Sequence, residues 1–174
     1  MAIPAYNVND MTVTVSYLEF TRPPAPPEER PYPARVAAEK LSIDEYLSLY
    51  TLVGESVRWD QRLQMPRTEL AALLASARSQ MYVLRDALAQ PIGFCEFERA
   101  LPDVELKNFG LVLSAQGKGL GSFLLRTALQ REWELQPGRI WLHTDSWDHP
   151  AAIKLYQSAG FQIYLTREEP PGDL

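Results

Sequence analysis

Three of the nine glycines in this 174-residue chain, Gly117, Gly119 and Gly121, fall within five positions, between a strand-like run and a helix-like one. The stretch from Phe109 to Ser122 (FGLVLSAQGKGLGS) therefore predicts a strand that turns directly into a helix, whose apolar stripe is Leu120, Leu124, Leu125, Ala128 and Leu129. Glycine admits positive φ and lets a ligand approach without meeting a Cβ, while a helix start offers unpaired amides and the positive end of the dipole. Such a turn suits a phosphate; its plainer alternative is a tight strand-to-helix connection. Two phosphate motifs do not fit. A P-loop needs Gly-Lys followed by Ser or Thr, but Gly119 follows Gly117-Lys118, and a dinucleotide fingerprint needs glycine where Ser122 stands.

The other elements follow from periodicity. Met11 to Phe20 alternates Val13, Val15 and Tyr17 with polar residues, which predicts a strand. Ile43, Tyr46, Leu47, Tyr50 and Val53 recur at helical spacing over Ser42 to Val57, behind a Ser42–Glu45 capping box, and a second helix is expected over Pro66 to Ala77. Strands are predicted over Gln80–Arg85, Pro91–Arg99, Val104–Leu113, Ile140–Asp145 and Phe161–Leu165, with a helix over Pro150–Ala159 closed by Gly160. The order β-α-α-β-β-β-α-β-α-β predicts an α/β (α+β) fold with a mixed sheet. Six of the 14 prolines lie between positions 23 and 33, so the segment 22–34 reads as a stiff loop, either solvated or closing over a site.

Length favours one domain over residues 1–174. The single cysteine, Cys95, precludes an internal disulfide, which together with the lack of a signal-like start predicts a cytoplasmic protein. A net charge of -5 without a basic run disfavours nucleic acid, and no apolar run is long enough to predict a membrane span. His143, in a predicted strand, reads as packed or hydrogen-bonded, because no ligand set around it has metal spacing.

Gln116-Gly-Lys-Gly-Leu-Gly121 after a strand, followed by Asp148-His-Pro-Ala-Ala-Ile-Lys-Leu-Tyr-Gln-Ser-Ala-Gly-Phe161, resembles the GCN5-related N-acetyltransferase (GNAT) superfamily. Its motifs are [QR]-x-x-G-x-[GA] and A-[IL]-x-L-Y-x-x-x-G-F. Both match in order and spacing; the close match covers about residues 104 to 165, and the first hundred agree only in pattern. The resemblance implies a mixed, mostly antiparallel sheet flanked by helices. It also implies acetyl-CoA bound in a gap between the strands at Val104–Leu113 and Ile140–Asp145. Backbone groups of Leu111, Val112 and Leu113 would pair with the pantetheine arm, and Gln116, Gly117, Lys118, Gly119, Leu120, Gly121 and Ser122 would hold the pyrophosphate.

By the same resemblance Tyr156 is the general acid toward the departing thiolate, a role a phenol of pKa about 10 can fill at neutral pH. Glu105 is the first candidate for the base, with Asp103, Glu96 and Glu98 behind it. The chain departs from the family at Leu113, where proline is common, and at His149, where asparagine often contacts the pantetheine. His149 is kept as a cofactor contact or, with Asp148, as a cap on the following helix. Trp59, Asp60 and Arg62 are candidates for the acceptor site. The expected activity is N-acetylation of a primary amine of a small molecule or peptide by direct attack in a ternary complex. A non-catalytic acyl-CoA-binding module is the alternative, and a homodimer is compatible with the resemblance.

Overall fold

The computed structural model describes residues 12–25, 33–55, 57 and 59–170. In chain order the strands are β1 (Val13–Phe20), β2 (Arg35–Ala38), β3 (Ser79–Arg85), β4 (Pro91–Ala100), β5 (Asp103–Leu111), β6 (Arg139–Asp145) and β7 (Gln162–Glu169). The helices are α1 (Ile43–Gly54), α2 (Gln61–Gln64), α3 (Arg67–Ala75), α4 (Leu120–Trp133) and α5 (Ala152–Ala159). A single 3-10 turn over Leu113–Ala115 joins β5 to the glycine segment. The seven strands form one sheet in the order β2-β3-β4-β5-β6-β1-β7, antiparallel everywhere except between β5 and β6.

Local sequence accounts for most of these elements. Tyr46, Leu49, Tyr50 and Val53 fall on one stripe of α1 and are buried, and the expected capping box forms at its start, with the Glu45 amide donating to Ser42 Oγ and the Ser42 amide to Glu45 Oε2. Gly160 closes α5 in the left-handed region at φ 112°, as expected of a C′ glycine. The sheet is coated on both faces. Leu124, Leu125, Ala128 and Leu129 of α4 and Tyr156 of α5 pack with Leu18, Cys95, Val104, Ile140 and Leu142 on one face. On the other, α1 and α3 pack with Met81, Val83 and Phe94.

Several expectations need correction. Strand β2 was not foreseen, because four residues with only Val36 buried carry no readable period. Helix α2 is equally short and buries nothing. Strand β5 ends at Leu111 and not at Leu113, since Val112 and Leu113 already enter the 3-10 turn. Strand β7 runs on to Glu169, beyond Leu165, because β1 pairs with it along its length. Met11, the residues 26–32 of the proline loop and 171–174 of the tail lie outside the described residues. The described end of that loop reaches α4, where Gln130 Nε2 donates to the Ala25 carbonyl.

Candidate functional site

The site begins where two strands part. Strand β5 pairs with β4 from Gly93↔Leu111 to Ala100↔Asp103, but with β6 only at Asp103↔Arg139, Val104↔Ile140 and Glu105↔Trp141. From Leu106 onward the β6-facing edge of β5 has no strand partner. A bulge between Glu96↔Asn108 and Phe97↔Leu106 shifts the pairing by one residue at Lys107. Beyond it the Val112 amide donates to the Ile92 carbonyl, so in an antiparallel ladder Gly110 and Asn108 also turn their backbone groups to β4. Phe109 and Leu111 therefore turn theirs to the gap. Of the three residues expected to hold a pantetheine arm, Leu111 faces the gap, with its carbonyl already accepting from Gln116 Nε2, and Val112 faces β4. Leu113 lies in the 3-10 turn with its side chain exposed.

The gap leads to the glycine turn. Gly119 is the N-cap of α4 at φ 76° and offers no side-chain cap, while Gly117, at φ 72°, has open space where a Cβ would stand. The first-turn amides of Leu120, Gly121 and Ser122 lack intrahelical carbonyl partners, as at any helix start. Positive φ, the absence of a covering cap and these amides fit an anion such as a pyrophosphate. A Cβ on Gly121 would stand 3.5 Å from Leu155 and 3.7 Å from Leu111, so this glycine lets α4 lie close to α5 and β5. Lys118 donates to the Ser114 carbonyl at 2.7 Å, and the Ser122 hydroxyl accepts from Arg126 Nε at 3.2 Å. Both are thus engaged within the turn and the helix.

Tyr156 projects from α5 into the core beside the gap, edge-on to Phe109 of β5 at 5.9 Å between ring centroids and to Phe161 at 6.0 Å. Burial, reinforced by the charge of Asp148, pushes its phenol well above the ordinary tyrosine range. It is protonated at neutral pH. Cys95 is fully buried and its thiol is pushed up by burial and by Glu132, which makes it a poor nucleophile.

Glu105 occupies the last β5 position paired to β6. It accepts from Lys107 Nζ at 2.9 Å, and His143 Nδ1 lies 3.4 Å from the same oxygen. Burial alone would raise its pKa, but the neighbouring His143 and the hydrogen bond from Lys107 outweigh it and hold the carboxyl below its usual range. The other candidate carboxylates are committed elsewhere. Asp103 takes two hydrogen bonds from Arg139, and Glu98 pairs with Arg78. Glu96, only 2% exposed, accepts from Tyr46, Arg62 and Asn108.

Arg62 is spent on that buried carboxylate and Trp59 packs on Tyr50 and Phe94, so both brace β4 and α1. Asp60, just before α2, accepts from Gln64 at the end of that helix. His149 Nδ1 accepts from the Ala151 amide just before α5, while Asp148 accepts from the Thr144 hydroxyl. Among the described residues no group of three His, Cys, Asp or Glu converges as a metal ion would require, and no helix is long and apolar enough to cross a membrane. The Glu105–His143 contact was missed in the sequence because the residues lie 38 positions apart. Its only signal was that both occupy predicted strands.

Fold and site together define a mixed α/β sheet opened along one strand edge, with an anion-receptive helix start at the mouth of the opening. The acetyltransferase (GNAT) domain model matches residues 77–163, half of the chain, and the protein belongs to that family. Solved structures agree in fold. A GCN5-related N-acetyltransferase from Sphaerobacter thermophilus matches 92% of this chain and 53% of its own at 18% identity and TM-score 0.60. One from Kribbella flavida matches 94% and 59% at 19% identity and TM-score 0.60. An aminoglycoside acetyltransferase from an uncultured soil metagenomic sample matches 74% and 88% at 16% identity and TM-score 0.61. The chain thus spans little more than half the length of the first two. Among curated proteins there is no significant sequence match.

Proposed function

We propose that the protein transfers an acetyl group from acetyl-CoA to a primary amine of a small molecule or peptide, with both bound at once. One observation carries this reading: β5 loses β6 as a partner after Glu105 yet continues, with Phe109 and Leu111 facing the gap, into a glycine turn at a helix start. The bared edge fits an amide-bearing chain laid alongside as an extra strand, and the amides of Gly117 to Ser122 fit a pyrophosphate. Acetyl-CoA supplies the acetyl group as a thioester. Tyr156, buried and protonated, donates to the leaving sulfur, and Glu105, held ionised beside the opening, belongs to the group that receives the acceptor's proton. The aminoglycoside acetyltransferase among the structural neighbours is consistent with an amine-bearing acceptor.

A thermal-shift comparison of acetyl-CoA, CoA, ATP and NAD tests the donor, and thiol release with an amine panel tests the transfer. Saturation at about 100 times Kd contributes roughly 2.7 kcal/mol and should raise Tm by about 5–11 °C for a chain of this size. Stabilisation by acetyl-CoA and CoA alone is the expected result. Stabilisation without thiol release for any amine would favour a non-catalytic acyl-CoA-binding module.

A further inference from the structure

We propose that His143 is the residue that takes the proton of the acceptor amine, and that Glu105 is a positioning residue that fixes the imidazole for that task. The inference rests on the reading of the β5–β6 gap as the thioester site. Trp141 makes the last pair with β5, and His143, two residues on, projects on the same face at the point where the strands have parted. It is within reach of solvent, with 18% of its side chain exposed. Tyr17 and Trp141 flank the ring at 5.9 and 6.2 Å, and Tyr17 is itself anchored by donating to Glu169 at 2.8 Å.

The chemistry separates the two partners. A carboxylate beside Nδ1 favours the tautomer with the proton on Nδ1, which leaves the Nε2 lone pair to accept one. Glu105 carries Lys107 on the same oxygen and is held below the usual carboxylate range, so it is a weaker proton acceptor than an ordinary glutamate but a good anchor for an imidazole. The other histidine, His149, has its Nδ1 occupied by the Ala151 amide.

The two faces of the sheet keep the proton-handling groups apart. Ile140 and Leu142 of β6 share the core cluster of Tyr156, so Trp141 and His143, which alternate with them, lie on the opposite face. The donor to sulfur and the acceptor from nitrogen thus stand on opposite faces of the sheet. The overall change is R–NH3⁺ plus thioester to R–NH–COCH3, CoA-SH and H⁺. His143 Nε2 takes one ammonium proton and later releases it to water. The nitrogen lone pair forms the C–N bond as the C–S bond breaks. Sulfur leaves with the bonding pair and takes the Tyr156 proton, and the second nitrogen proton returns through solvent to the phenolate.

Two measurements on the full chain test this. In the first, ¹⁵N spectra of the imidazole rings, assigned with His149→Gln, should show the Nδ1–H tautomer at His143, lost or depleted in Glu105→Gln. An Nε2–H tautomer at His143, or one indifferent to Glu105→Gln, overturns the proposal whether or not an acceptor is known. In the second, thiol release is followed with tyramine, spermidine and kanamycin as probe amines. His143→Ala should lower kcat/KM for any amine accepted by about 10²- to 10⁴-fold, leave the acetyl-CoA-induced Tm rise intact, and recover in part on adding free imidazole. An active His143→Ala enzyme would overturn the proposal while leaving the acetyltransferase reading in place. If acetyl-CoA does not stabilise even the unaltered protein, that reading fails first, and the tautomer measurement still reports on the Glu105–His143 pair.

Discussion

The two edges of β5 are treated in opposite ways. Toward β4 the strand is paired from Asp103 to Leu111, with the bulge at Lys107 accommodated, and the contact is tight enough that a Cβ on Gly93 would stand 2.8 Å from the Gly110 carbonyl oxygen. Toward β6 it is paired over three residues and then left open. An unpaired backbone edge inside a sheet is costly unless something satisfies it. One edge is thus sealed by folding while the other is left open for the proposed binding, and the bulge helps divide them by setting the phase in which Phe109 and Leu111 face the gap.

Changes on the two sides should therefore separate stability from function. The largest effect belongs to Tyr156→Phe. It keeps the ring against Phe109 and Phe161 but removes the proton donor, so steady-state assays should show kcat lower by about 10²- to 10⁴-fold with CoA affinity unchanged. Unchanged turnover would remove Tyr156 from the chemistry. On the sealed edge, Gly93→Val should overpack β4 against β5 and destabilise by roughly 1–3 kcal/mol, a Tm lower by about 2–12 °C in a melting curve. Gly119→Val, at a positive φ in the turn, should weaken CoA binding about tenfold, or about 1.4 kcal/mol, when titrated below the melting range. Equal affinity would sever the turn from the phosphate.

The smallest effect is one of pH. Because the Glu105 carboxyl is held below its usual range in the folded protein, its ionised form stabilises the fold above the unfolded-state value of about 4.3, and this contribution disappears as pH falls through the lower folded-state value. Denaturant midpoints of the unaltered protein and Glu105→Gln should therefore differ near neutrality and converge in acid. A gap that widened in acid would contradict the pairing with Lys107 and His143.

The open edge and the turn behind it were more legible in the sequence than the first half of the chain. The glycine turn, the helix behind it and Tyr156 carry their information in contiguous residues, because a turn and a helix face are local. Tyr156 accordingly lands beside β5 and Gly119 heads α4. Strand β2 was invisible because it is held by β3 and not by any pattern of its own. The insertion of β1 between β6 and β7 is likewise a matter of which edge remains for it to pair with. The bulge at Lys107 depends on the register with β4, and the commitment of Glu96 to Tyr46, Arg62 and Asn108 unites four elements. A carboxylate in a strand looks the same in sequence whether it is braced on three sides or set beside an imidazole.

On the proposed function, the β6-facing edge of β5 takes the donor's amide-bearing arm as an added strand. Residue-resolved amide hydrogen exchange with and without saturating CoA, under conditions where exchange proceeds by local fluctuation, tests it most directly. The Phe109 and Leu111 amides should slow on binding while Gly110 and Val112, already turned to β4, change little. Slowing confined to Gly110 and Val112, or no change along β5 while CoA is bound, would contradict it.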